Sequence, residues 1–273
     1  MTNSIIQPAI DAFQERTPLR VGSLLVTIFG DSVLPYGDFV KLSSLLEITS
    51  AIGIDDGAVR VAIHRLEKVG WLKKHKVGRN AHYGLGKAGE EESRQAAKLI
   101  YDFEQPQSFG ELQMLVLREG SGRAEFRDNL VASGWGLVAP NILLTSGSDQ
   151  QLAALENREK ETPDFRFPLN AETEDIRRLC IKGFELDELN AAYRAYVELY
   201  KNILNGKPAP QLLNMQDALI LRILMIHDYR RLILKEPRLA PYCLPKDWYG
   251  NATRKLLFEH YPVLKKRTKN WMD

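Results

Sequence analysis

The sequence is short of cysteine, short of net charge and without long apolar runs. Its 273 residues hold two cysteines, Cys180 and Cys243, 63 positions apart. That count excludes a disulfide framework and a cysteine-rich zinc site. The longest apolar stretch, 218–226, is broken by Arg222 and falls far below the roughly 18 residues a membrane span needs. Residues 1–8 carry no basic segment leading into an apolar one, so no secretory signal is expected and the cytoplasm is the expected location. A glycine-rich phosphate loop, a serine or cysteine elbow and a His-x-x-x-His pair are all missing. No catalytic residue, metal site or resident cofactor is therefore expected. A lone Glu119 after an apolar run is too little for a metal site. The formal net charge is only +2, from 37 Lys+Arg and 35 Asp+Glu, which by itself argues against a protein that coats nucleic acid.

What is present is an ordinary globular composition, 44% hydrophobic and 26% charged, on a chain long enough for two or three domains. Charge by region is less even than the total. Residues 1–105 hold 13 basic and 13 acidic groups, 106–182 hold 9 and 12, and 183–273 hold 15 and 10. Inside the first region, from Arg60 to Lys87, eight basic residues face one acid, Glu67. A basic stripe this local is the footprint of a phosphate-facing surface, or else a solvated charged face.

The stripe falls on readable elements. Residues 19–30 predict a helix closed by Gly30, and 41–51 a second, with Leu42, Leu45, Leu46 and Thr49 on one face. Asp55 is a good N-cap for a third helix to about Val69, with Val59, Ala62, Ile63 and Leu66 inward. Gly70 ends it. Residues 71–77 and 81–85 read as a hairpin around a Gly78-Arg79-Asn80 turn, with Trp71 plugging its root. Short helices followed by a hairpin make a winged helix-turn-helix. Its third helix enters the major groove, with Arg60 on a guanine edge and His64 and Arg65 as second choices. Lys68, Lys73, Lys74 and Lys76 are expected on phosphates, and Arg79 in the neighbouring minor groove. The alternative use of such a domain is protein contact.

Downstream, 87–104 predict a polar connector helix and 105–108 a domain boundary. A strand over 112–117, a helix over 122–132 with Phe126 and Leu130 inward, a bent strand or hairpin over 137–144, a helix over 150–157 and a strand over 165–168 predict a small α+β sandwich. The rest is helical: 174–181, then 186–203 with a stripe of Leu189, Ala192, Tyr193, Tyr196, Val197 and Tyr200. A loop over 205–210, an all-round apolar helix over 215–231 and a closing helix over 252–260 follow.

The run from Ala58 to Leu72 (AVRVAIHRLEKVGWL), with Val77 to Leu85 (VGRNAHYGL), resembles the N-terminal domain of the PaaX family, repressors of phenylacetic acid catabolism and their relatives. Residues 19–31 resemble that family's opening helix. The helix motif alone is shared with GntR-type winged helices. Arg123, Arg127, Leu130, Gly134 and Trp135 match the spacing of the Cas2-like middle domain of such proteins. His227-Asp228-Tyr229-Arg230-Arg231, a Glu236-Pro237-Arg238-Leu239 turn and Leu244-Pro245-Lys246-Asp247-Trp248-Tyr249-Gly250 are similar to its C-terminal signature. Where relatives read Asp-Pro, Leu-Pro and Trp-Pro-Gly, this chain has Glu236-Pro237, Leu239-Ala240 and Trp248-Tyr249-Gly250.

The resemblance implies an α+β chain of three domains: a winged helix-turn-helix with connector (1–105), a Cas2-like ferredoxin-type dimerisation domain (106–182) and a helical C-terminal domain (183–273). It implies a homodimer on palindromic double-stranded operator DNA, released by an aryl-acyl-coenzyme A thioester. Arg222, Arg230, Arg231, Arg238 and Lys246 are then candidates for the coenzyme A phosphates, and Tyr229, Trp248 and Tyr249 for the acyl pocket, with His227 a further ligand candidate. The alternative for His227, Asp228 and Arg230 is a buried polar network locking a helix end. A Cas2-like assembly module without an inducer is the rival function.

Overall fold

In the computed structural model the described residues are 4–37, 39–103, 111–156, 165–169, 173–205 and 213–271. The chain is α+β, with two antiparallel sheets. It gathers into two compact units, each assembled from separated stretches. One takes Met1–Phe103, Ala195–Leu234 and Thr253–Asp273; the other takes Glu104–Arg194 and Lys235–Ala252. The C-terminal segment 183–273 thus contributes to both units. The expected boundary at 105–108 lies outside the described residues, as does the loop expected over 205–210 apart from Asn205.

The first unit begins with α1 (Gln7–Gln14) and α2 (Val21–Thr27). Gly30 does not end α2. The chain runs on as a π-helical turn, Ile28–Val33, because Asp31 is anchored in the core. Its carboxylate accepts from Tyr101 Oη at 2.7 Å and Tyr261 Oη at 2.8 Å, and Arg222 Nε lies 2.8 Å from it. Trp271 Nε1 donates to the carbonyl of Ser32 at 2.8 Å. Bonds to a buried acid outweigh the permissiveness of one glycine.

After β1 (Val40–Lys41) and α3 (Leu42–Ala51), α4 spans Asp56–Lys68. Asp55 caps α4 by accepting from the Ala58 N–H at 3.1 Å, and Val59, Ala62 and Ile63 are its buried side. Gly70, at φ +72°, turns the chain out. β2 (Leu72–Val77) and β3 (Asn80–Leu85) pair through a two-residue loop, Gly78-Arg79. Gly78 at φ +60° supplies the positive φ that a type II′ hairpin needs at its first central position. The sheet order β1-β3-β2 leaves β2 at an edge.

α5 (Lys87–Ile100) follows, and later in the chain α10 (Met215–Ile233) fills the centre of this unit against α1, α2, α3 and α5. α10 is capped by Asn214, whose side chain accepts from Asp217 N–H at 2.8 Å, and it is buried on nearly every side. α11 spans Gly250–Arg267, well past the 260 expected, and carries Pro262 inside it. The carbonyl that Pro262 deprives of its helical donor belongs to Phe258, a residue that is 64% exposed.

The second unit runs β4 (Gln113–Val116), α6 (Arg123–Ala132), β5 (Gly136–Ala139), β6 (Ile142–Thr145), α7 (Asp149–Glu156), β7 (Phe165–Pro168) and α8 (Glu174–Gly183). The sheet order is β5-β6-β4-β7. Leu115, Leu117, Phe126, Leu130, Trp135 and Leu143 form its core. Gly136 and Gly183 allow α8 to lie on β5, since a Cβ on Gly136 would meet the Gly183 carbonyl at 2.9 Å. The two cysteines, far apart in sequence, are neighbours here, both free and buried. The Cys180 thiol is pushed up by its hydrogen bond with Cys243 and by burial.

α9 (Leu186–Leu204) gives residues to each unit. Leu189, Tyr193, Tyr196 and Tyr200 are buried along it as the stripe predicts, whereas Ala192 is exposed.

Candidate nucleic-acid interface

All eight basic candidates are exposed, and none forms an ion pair among the described residues. The 3.6-residue period sets Arg60, His64, Arg65 and Lys68 on the side of α4 away from Val59, Ala62 and Ile63. The strand period divides the others. Lys73 Nζ lies 5.2 Å from the Phe39 ring centre, with the His75 ring also 5.2 Å from Phe39. Lys74 Nζ, on the opposite face of β2, lies 5.8 Å from the ring of Tyr83. Lys76 shares the Lys74 face, and Arg79 stands at the hairpin tip. Lysines on an exposed edge strand also discourage pairing with a foreign strand.

Trp71 joins α4 to the hairpin. It is buried, and its Nε1 donates to Glu92 Oε2 on α5 at 3.0 Å. A Cβ on Gly89 would meet the Trp71 carbonyl oxygen at 2.3 Å and its indole at 2.9 Å, so α5 lies flush on this junction.

One residue on this face escaped the sequence reasoning. Val61 is 52% exposed amid Arg60, His64 and Arg65. Its signal is an apolar residue off the inward period of α4.

The nine ligand candidates are not brought together in one unit. Arg222, His227, Tyr229, Arg230 and Arg231 belong to the first, and Arg238, Lys246, Trp248 and Tyr249 to the second. Arg222, expected on a coenzyme A phosphate, is instead wholly enclosed. Its guanidinium is committed to Asp31 and, at 2.7 Å, to Thr268 Oγ1. A buried cation already paired has nothing left for a ligand in this conformation.

His227 lies on Thr27 Oγ1 at 3.0 Å and edge-on to Phe13. Burial holds it neutral, with its pKa lowered to about 4. Asp228 meets Arg16 Nη1 at 2.6 Å and accepts from Tyr200 Oη at 2.8 Å. His227 and Asp228 are thus held in buried polar contacts. Tyr229 is enclosed, Arg231 is exposed, and Arg230 is half-buried without an ion pair among the described residues.

In the second unit Arg238 is exposed, Lys246 Nζ lies 3.5 Å from Glu174, Trp248 is buried edge-on to Tyr193, and the half-buried ring of Tyr249 sits under Arg194 at 4.8 Å.

Two family profiles match the chain: PaaX-like protein over residues 20–89 and PaaX-like protein C-terminal domain over 184–273. The chain is also 30% identical over 271 residues to the transcriptional repressor PaaX of Escherichia coli strain K12, covering 95% of this chain and 84% of that protein. The chain belongs to the PaaX-like family. Within this PaaX-like chain the first matched segment runs from just before α2 into the first turn of α5 and contains every basic candidate. The second contains α9, α10 and α11, and with them all nine ligand candidates. The relative is a transcriptional repressor. Among the described residues no cluster of metal-ligating side chains occurs, and no helix is long and apolar enough to cross a membrane.

Proposed function

We propose that this PaaX-like chain is a DNA-binding transcriptional regulator, a repressor of an aromatic-acid or related catabolic operon, released from a palindromic operator by an acyl-coenzyme A type ligand. The observation that carries the DNA-binding part is the set of eight exposed basic side chains, without ion pairs among the described residues, on α4 and the hairpin it leads into. The α3–α4 pair and the β2–β3 hairpin support a winged helix-turn-helix. In it Arg60 faces a guanine edge, Val61 a thymine methyl group, Lys68, Lys73, Lys74 and Lys76 the phosphates, and Arg79 the minor groove. The β-α-β-β-α-β order of the second unit, with sheet order β7-β4-β6-β5, supports a Cas2-like ferredoxin-type module. As the dimerising part of a homodimer, it would match two-fold symmetry to a palindrome.

The test is selection of preferred duplexes from a random library by the full chain, followed by titration. Arg60→Ala is expected to weaken the selected duplex by about 1–3 kcal/mol and to relax preference at one G·C pair. Lys74→Ala is expected to weaken selected and random duplexes alike and to flatten the salt dependence. Equal loss on both duplexes for both variants removes Arg60 as a base reader. Salt-dependent binding with no selected sequence favours a Cas2-like assembly module.

A further inference from the structure

The first unit contains a cleft that neither the DNA face nor the enclosed Arg222 accounts for. Val26 and Thr27 of α2, Gly30 and Asp31 of the π-turn, Trp71, Ile226 and Arg230 of α10, and one side of α5 from Glu92 to Ile100 line it. Its cavity volume is about 40 Å3, within about 400 Å3 of empty space that runs out into open solvent. Such a space takes one end of a molecule and leaves the rest outside.

The chemistry of the walls narrows the occupant. Val26, Ala96, Ala97, Ile100, Ile226 and the Trp71 indole make an apolar floor. Asp31 is already neutralised by Arg222 and two tyrosines, and Glu92 holds the Trp71 N–H. Arg230 is different. It is half-buried, forms no ion pair among the described residues, and burial lowers its pKa. A partly desolvated guanidinium beside an apolar floor attracts an anion attached to an apolar group.

We propose that this cleft is the effector site, taking the apolar end of an organic anion against Ala96, Ala97 and Trp71 with its charged group on Arg230. This rests on the reading of the chain as a ligand-released repressor and gives that release a location. Trp71 is both a wall of the cleft and the junction between α4 and the hairpin. With α5 flush against it at Gly89, the indole has no room to yield towards α5. An occupant that presses on it or takes over the Glu92 acceptor shifts the hairpin relative to α4. DNA then selects the empty state and the ligand the occupied one.

The shared chemistry, an apolar group next to an anion, is carried both by free carboxylates and by coenzyme A thioesters. The test titrates the full chain with benzoate, hexanoate, benzoyl-coenzyme A, hexanoyl-coenzyme A and coenzyme A alone. Trp fluorescence reads the cleft, with Trp71→Phe as the spectral control, and duplex affinity is read by anisotropy. The expected result is a Trp71-dependent fluorescence change for at least one carboxylate or its thioester but not for coenzyme A alone, with a tenfold or greater loss of duplex affinity. Ala97→Leu, which fills the floor, and Arg230→Gln, which removes the charge, are each expected to abolish the ligand-induced change relative to the same variant without ligand. Two variants with different packing guard against one that misfolds. Undiminished release in both folded variants overturns the cleft as the site while leaving release intact. A Trp71 signal lost in both variants, without any change in duplex affinity, keeps the site and overturns release. No Trp71-dependent signal with any probe overturns the proposal.

Discussion

Single residues in this chain do work that their type alone does not announce. Asp31, Arg222 and His227 are ionisable groups, yet all three are enclosed in the first unit. For Asp31 and Arg222 the desolvation is offset by each other and by Tyr101, Tyr261 and Thr268. Loss of one partner then leaves the other charge buried, at a cost of about 3–5 kcal/mol. For His227, burial outweighs the pull of Asp228 towards the charged form, so the ring stays uncharged. Its folded pKa of about 4 lies below the value of 6.5 for a free histidine, so between pH 6.5 and 4 the unfolded chain binds a proton that the folded chain refuses. Stability from this group is complete above pH 6.5 and is lost as pH falls towards 4, by about 3 kcal/mol in total. Urea titrations of wild type and His227→Gln from pH 7.5 to 4 check this: the gap between the two curves should narrow steadily towards low pH, and parallel curves would remove His227 as the cause. Val61 is the opposite case, an apolar side chain left in water among cations. If Val61 meets a thymine methyl group as proposed, Val61→Ala is expected to relax the preference for an A·T pair in duplex selection.

Among the elements, α4 and its hairpin are the ones most directly written in sequence. Asp55 as cap, Val59, Ala62 and Ile63 at helical spacing, Gly70 and Gly78 at positive φ, and a lysine-rich edge strand are all local signals, each decided within a few residues. The connector α5 is less so. Its polar sequence conceals that Gly86 and Gly89 let it lie directly on Gly70 and Trp71. Gly89→Ala pushes a methyl group against the Trp71 carbonyl and indole, so a loss of about 1–3 kcal/mol in urea unfolding is expected despite the better helix propensity of alanine. A stabilised variant would mean that α5 does not bear on the junction. The π-turn and the full length of α11 were not legible, because their causes are distant. Asp31 is held by Tyr101, Arg222 and Tyr261, which stand 70, 191 and 230 positions away. Pro262 reads as a stop in a linear string, but the helix continues through it, where the residue four positions back, Phe258, is exposed.

At the scale of the whole chain, the basic α4 and hairpin share one unit with α10, most of α11 and part of α9. A fragment of residues 1–105, which the sequence sets apart as a winged-helix domain with its connector, lacks the helix that fills the centre of that unit. It also loses the Arg222 and Tyr261 partners of Asp31. Such a fragment is expected to lose cooperative thermal unfolding by circular dichroism and to bind the selected duplex at least tenfold more weakly than the full chain; a sharp transition and full affinity would show that the C-terminal helices are dispensable for the fold. The sequence by itself determined the family, the α+β class, the positions of nearly all helices and strands, and the basic face, because each depends on local periodicity, caps or a contiguous motif. The tertiary structure alone decided that Arg222 is a core ion pair, that Cys180 and Cys243 are neighbours, that the ligand candidates divide between two units, and that Arg230 borders a cleft behind Trp71. Those facts depend on which distant segments exclude water from one another, and burial of that kind has no local signature.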